Sequence, residues 1–425
     1  MPDILVLGGG VAGLSAAWHA RQAGREALVL EAQERWGGLL DHFTIDGFRF
    51  DNAVHFAFSS NEYYRNLLEQ TEYIIHRPEP YNFEQERWLK HPVQNNLYPL
   101  PVEEKVAAIK SFIERPDQSK DPNYADWLEE QFGRVIARRF PGRYTRKYWT
   151  IEAEKLGTEW IGNRLYRPSL DEVLFGAMTD RTPQTYYLQE MLYPRCGGFR
   201  TFLEPLAAAV KIETGRRVVR INPQRRVVET EDGPPEHYEA LVSSLPLPEL
   251  AQMIEGAPAA VLEAAGSLWA TSVALVSLGF NCPQAGEHLW FYIYDEDIYP
   301  ARVHAPYRKS PDNAPPGKSS LQFEIYFSRH KPKPASPEGL VEHVLAAAAR
   351  MGLAESSKLE VCDYRELPYA NVVFDRGMTV RRDYLLDYIR SLGIVPVGRF
   401  GLWDYLWSDQ SYLSGKRVES LINMV

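Results

Sequence analysis

Cysteine is scarce. The three in 425 residues, Cys196, Cys282 and Cys362, lie too far apart for a metal cluster or a disulfide framework. Reduced thiols and no metal site are expected. An excess of basic charge is also missing: 47 Lys and Arg face 56 Asp and Glu, a formal net charge of -9. That excludes the broad basic surface needed by a nucleic-acid binder or a protein that rides an anionic membrane. Any anionic ligand must then be met by a few local arginines. No run reaches the ~18 uninterrupted apolar residues of a membrane span. The opening MPDILVLGGG has no basic stretch, and its glycines come too early for a secretion signal. A soluble, cytoplasmic protein is expected. What the chain does have is length and rings. Single cores stop growing at about 250 to 300 residues, so 425 residues imply two or three domains, and 24 Tyr with 10 Trp supply material for aromatic-walled pockets.

The N-terminal ILVLGGGVAGLSAAWHARQAGREALVLE reads as strand, tight turn, helix and second strand. Within it, Gly8-x-Gly10-x-x-Gly13 suits a dinucleotide. Gly8 turns the chain, Gly10 admits a pyrophosphate to the helix start at Val11 and Ala12, and Gly13 lets helix and strand pack closely. Glu31, eighteen residues after Gly13, ends the second strand where a carboxylate can accept from a ribose hydroxyl. Directly after Ala32 comes an arginine-containing turn with Gly37-Gly38-Leu39, then a β-like stretch ending at Asp51.

This second glycine pair resembles the fingerprint of the FAD family that includes amine oxidases, protoporphyrinogen oxidase and UDP-galactopyranose mutase. The resemblance implies an α/β fold: a discontinuous Rossmann-type FAD-binding domain, an antiparallel β-sheet substrate domain and a helical insertion. The expected boundaries are 1–65, 186–248 and 370–425 for the first, 66–101 and 249–369 for the second, and 102–185 for the third. VEEKVAAIKSFIE and ADWLEEQFGRVIARRF, with apolar residues three and four apart, carry the helical expectation. TGRRVVRINPQRRVVETEDG reads as two short strands that would bring Val218 beside the adenine. IVPVGRFGLWDYLWSDQSYLSG reads as a strand, a loop and a helix from about Ser411 that complete the flavin site, with Gly398, Arg399, Asp409, Gln410 and Ser411 on the cofactor.

Several stretches resemble the eukaryotic-type UDP-galactopyranose mutases more closely. GRFG-x-W-x-Y places Arg399 and Tyr405 on positions that bind substrate diphosphate. HPVQNNLYPLP places Gln94 and Asn95 toward the nucleoside. YTRKYWTIEAEKLGTEWIGNRL carries Thr145, Trp149 and Arg164, HLWFYIY carries Trp290 and Tyr292, and ELPYANVVFDRG places Tyr369 as a second diphosphate tyrosine. FDNAVHFAF puts Val54 and His55 near the isoalloxazine ring. The chain departs from that pattern twice: Asn281 stands where the resemblance expects an arginine, and Ala53-Val54 stand where it expects two glycines.

The resemblance implies a mutase that interconverts pyranose and furanose rings of a nucleoside-diphosphate sugar through a covalent adduct at N5 of reduced FAD. Arg399, Arg164 and His55 would be catalytic, a donor such as NAD(P)H would reduce the flavin, and the substrate would differ from UDP-galactose. The alternative is an FAD-dependent oxidase or dehydrogenase of the amine oxidase or protoporphyrinogen oxidase type, which would share the fingerprints but want an apolar tunnel.

Overall fold

The computed structural model describes residues 2–185 and 190–419. Met1, residues 186–189 and residues 420–425, which fall in the segments expected to form the cofactor domain, lie outside them.

The apolar run Ile4–Leu7 is strand β1, and Ala27–Leu30 is β2; both are almost fully buried, as strands covered on two faces must be. Helix α1 (Val11–Gln22) crosses between them. The sheet is five-stranded, parallel where its registers are recorded, and assembled from distant pieces of chain. Beyond β2 lies Lys211–Glu213, and on the other side of β1 lie Ala240–Ser243 and then Ile394–Pro396. At the turn into α1, Gly8 has φ +96°, and a Cβ on Gly13 would stand 1.9 Å from the Gly8 carbonyl oxygen. Both glycines are therefore demanded by the protein itself.

Between residues 102 and 178 the described chain is helical. Helices α2 (Val102–Ile113), α3 (Tyr124–Ala137), α4 (Arg143–Tyr148) and α5 (Leu170–Met178) turn Phe112, Trp127, Phe132 and Phe140 into one buried cluster.

The third part is a seven-stranded sheet. Five of its strands are β3 (Ala270–Phe280), β4 (Trp290–Ile293), β5 (Arg302–His304), β6 (Ser319–Phe327) and β7 (Leu359–Val372); Tyr81–Glu84 and Arg87–Lys90 extend it past β4. The long strands β7, β3 and β6 are antiparallel. A bulge shifts the β3–β7 register, so that Thr271 faces Asn371 but Val273 faces Leu367. The two extra residues break the alternation between Leu367 and Asn371 while leaving that pair on one face. Among the described residues no helix is long and apolar enough to cross a membrane.

Candidate active site

The three parts meet around one cleft of about 570 Å³. At one end it is walled by backbone. Gly10 caps α1 with extended geometry and no side-chain partner, so the first N–H groups of the helix face the cleft. A Cβ on Gly10 would meet nothing within 4 Å; the protein does not need that space, and a ligand can use it. Glu31 is buried and lines the same end. Its Oε2 accepts from the Gly9 N–H at 2.7 Å and its Oε1 from Gln33 at 2.8 Å, which fixes the carboxylate and leaves lone pairs for a diol. Gly37 is bridged to Gly10, and both Gly37 and Gly38 have positive φ. Gly398, at φ +77°, lies so close to α1 that a Cβ would press within 2.6 Å of the Ala12 side chain. Helix α6 (Ser408–Gly415) presents Ser408 and Ser411 to the cleft. Glycine space, a helix start and a fixed carboxylate are what an FAD diphosphate and ribose require, and these residues fit that cofactor.

The other end is walled by side chains. Tyr405 is its hub: the guanidinium carbons of Arg164 and Arg399 lie 4.7 and 4.4 Å from its ring centre. Arg164 Nη2 donates to the Tyr405 carbonyl at 2.6 Å. The Tyr405 hydroxyl is 2.9 Å from that of Tyr148, and the Trp149 ring lies 5.2 Å away. Burial raises the Tyr148 phenol well above its usual range, so it stays a proton donor. Among the described residues Arg399 has no carboxylate partner, whereas the neighbouring Arg302 is paired with the fully buried Glu324 directly across the β5–β6 ladder. Arg302 is thus a neutralised wall and Arg399 an available cation.

His55 also lines the cleft, half-buried, with Nδ1 buried and unpartnered and its ring 5.5 Å from Phe199. Burial pushes its pKa down from 6.5 to about 4. The imidazole is neutral at ordinary pH. The backbone before it accepts the glycine conformation even without glycine: Ala53 sits at φ +77°, and the Val54 N–H donates to Glu324 Oε1 at 3.0 Å.

Of the residues the sequence singles out, Gly8, Gly10, Val11, Ala12, Glu31, Gly37, Gly38, Leu39, Val54, His55, Gln94, Thr145, Trp149, Arg164, Trp290, Tyr292, Gly398, Arg399, Tyr405 and Ser411 line this cleft. Others do not. Gly13 packs against the Gly8 carbonyl, and Ala32 and Val218 are not among the lining residues. Asn95 is buried beside it, donating to Thr185. Asp409 and Gln410 belong to α6 and not to a loop; Asp409 accepts from Ser59, and Gln410 closes the cap of its own helix. The Tyr369 hydroxyl is turned away and donates to Glu249 at 2.6 Å. Asn281 is exposed past the far end of β3, eight residues beyond Val273, roughly 26 Å of strand from the cleft. It is not a site position, and an arginine there would add surface charge only. Sequence reasoning missed Tyr144, Tyr148, Arg302, Tyr326 and Asn371, all of which line the cleft. One signal was available: Glu324 within the apolar run SSLQFEIYF requires a buried cation.

Fold and cleft together define a flavin-dependent enzyme of mixed α/β architecture. The chain belongs to the flavin containing amine oxidoreductase family, whose profile matches residues 11–385. It superposes on a reduced UDP-galactopyranose mutase with a TM-score of 0.94 at 21% identity, covering 100% of this chain and 96% of that one. A protoporphyrinogen oxidase-like protein of Exiguobacterium gives 0.75 at 18%, covering 99% of each chain. At these identities the likeness is one of fold. In sequence the chain is similar to a carotenoid 3,4-desaturase of Haloarcula japonica, 47% identical over 49 residues, and to a probable flavin-containing monoamine oxidase A of Dictyostelium discoideum, 28% identical over 68. These stretches take in 12% and 16% of this chain but only 10% and 15% of the relatives' own lengths.

Proposed function

We propose that the enzyme is a flavin-dependent mutase that interconverts pyranose and furanose forms of a nucleoside-diphosphate sugar, in the cytoplasm, with NAD(P)H or a similar donor reducing the flavin. The observation that carries this reading is the Tyr405 ring held against two guanidinium groups, Arg164 and Arg399, in the compartment that adjoins the FAD end. An apolar amine or polyene has no use for them. Reduced FAD, when bound, supplies a nucleophile for the anomeric carbon. The chain's own work is to keep the departed diphosphate in place until it returns. Arg399 and Arg164 provide charge, and with the Tyr148 proton committed to Asn371 Oδ1 the Tyr405 hydroxyl is the phenol that can turn its proton to the anion. Gln94, whose amide donates to the Tyr166 carbonyl at 2.8 Å, and Trp149 wall the outer compartment where a nucleoside fits. His55, neutral, cannot add a competing positive charge beside the flavin.

The second reading, an FAD oxidase or dehydrogenase, is favoured by the names of the short sequence relatives. The test is to reduce the protein without oxygen and incubate it with a panel of nucleoside-diphosphate sugars, separating pyranose from furanose products. Ring-contracted product supports the mutase. Oxygen consumption by the oxidised protein with an amine or polyene, and no reaction with any sugar nucleotide, would replace it with the oxidase.

A further inference from the structure

Asn371 has no assigned role, yet its side chain holds the centre of the cationic compartment. It is buried on β7, lines the cleft, and is anchored by its own N–H, which donates to Thr271 Oγ1 at 3.1 Å. Its Oδ1 accepts from two groups at once, the Tyr148 hydroxyl and Arg399 Nη2, each at 3.2 Å. A guanidinium can only donate, so this pairing fixes which end of the amide is oxygen. The Nδ2 amine must point elsewhere, and it finds no acceptor among the described residues. Arg399 Nε is buried and unpartnered beside it. Two buried donors without an acceptor, next to a cation without a carboxylate, describe a place kept for a negatively charged oxygen.

We propose that Asn371 is a substrate-binding and specificity-determining residue: Nδ2 donates to a phosphoryl oxygen of the bound nucleotide while Oδ1, steadied by the Tyr148 hydroxyl, holds Arg399 in position for the same anion. The bulge in the β3–β7 register makes this possible, because it turns Asn371 to the cleft and Tyr369 away, toward Glu249. The inference rests on the sugar-nucleotide reading and narrows it to a site that reads the diphosphate with an amide as well as with guanidinium groups.

Aspartate separates the two halves of the role. Asn371→Asp keeps an acceptor for Arg399 and Tyr148 but replaces the donor with a charge that repels phosphate, whereas Asn371→Ala removes both and Asn371→Ser keeps a small donor. The FAD-loaded, reduced protein is titrated with UDP by tryptophan fluorescence, and flavin content and thermal midpoint are recorded for each variant. Asn371→Ala is expected to weaken UDP binding about 10- to 100-fold, Asn371→Ser less, and Asn371→Asp more than alanine, all with wild-type flavin content. Aspartate binding UDP as well as wild type would overturn the proposal, since holding Arg399 would then be the whole role. So would alanine, aspartate and serine variants that all match wild type. A wild-type protein that ignores both UDP and inorganic pyrophosphate would overturn the sugar-nucleotide reading along with it.

Discussion

The two ends of the cleft are built from different materials. The cofactor end is backbone: glycines, the start of α1 and one carboxylate fixed by main-chain N–H groups. The substrate end is side chains that hold one another, with Tyr405 against Arg164 and Arg399, and Asn371 beneath Arg399 and Tyr148. A backbone site tolerates almost any surroundings but not an added Cβ. A side-chain site tolerates small volume changes but fails when one partner's charge is removed.

The largest effects should separate the two reasons for glycine at the cofactor end. Gly13→Val forces a Cβ against the Gly8 carbonyl and should abolish flavin binding while lowering the melting temperature of the flavin-free protein. The Cβ of Gly10→Ala meets nothing within 4 Å among the described residues. This variant should also yield protein without flavin absorbance, but with flavin-free stability within about 0.5 kcal/mol of wild type. Equal melting temperatures for the two variants would break the distinction.

At the substrate end, Arg399→Ala should leave flavin content intact and reduce turnover of a nucleoside-diphosphate sugar by about 10³-fold or more, through loss of a cation acting in a secluded site. Flavin loss in this variant would place Arg399 with the cofactor instead.

A smaller effect is read through pH. Desolvation holds His55, half-buried in the cleft wall, at a pKa of about 4 against an ordinary 6.5, so the unfolded chain binds a proton that the folded chain refuses. Stability should therefore rise with pH across that window and be lost as pH falls from 6.5 toward 4. Because His91 and His288 are depressed by burial as well, only part of the slope belongs to His55. His55→Gln should remove up to about 3 kcal/mol of the dependence, read from denaturant midpoints at pH 7 and pH 4.5. An unchanged slope would show that His55 is not enclosed.

The smallest effect concerns Ala53. Its φ of +77° costs an L-residue about 1–2 kcal/mol, and glycine would relieve that while giving back about 0.5–1 kcal/mol of unfolded-chain entropy. Ala53→Gly should be more stable by about 0.5 kcal/mol.

The same contrast explains what could be read from the sequence. Gly8, Gly10, Gly13 and Glu31 lie within twenty-four residues, so local spacing carries the geometry: Gly8, Gly10 and Glu31 line the cleft, and Gly13 packs against the Gly8 carbonyl. The substrate end depends on registers between distant strands. Tyr369 and Asn371 are two residues apart, and in a regular strand they would share a face; the bulge beside them breaks that parity. Asn281 was placed by resemblance along a strand whose far end is remote from the cleft. Asp409 and Gln410 were taken for loop residues because α6 begins at Ser408, ahead of the apparent helix, and their side chains are spent on tethering and capping it. Glu324 in its apolar run signals a buried cation, but that the cation is Arg302 depends on the β5–β6 register, which local sequence does not carry.

The parallel sheet that carries the flavin site takes its edge strand from Ile394–Pro396, and α6 then packs on α1, where a Cβ at Gly415 would stand 2.7 Å from the Ala16 amide nitrogen. In time as well as in space this sets an order of events. During synthesis β1, β2 and α1 emerge first but cannot close around a dinucleotide until some 380 more residues have followed. In the nascent chain the free edge of β1 therefore waits about 210 residues for Ala240–Ser243, and the edge of that strand waits about 150 more for Ile394–Pro396, so that closing the sheet is a late step of folding.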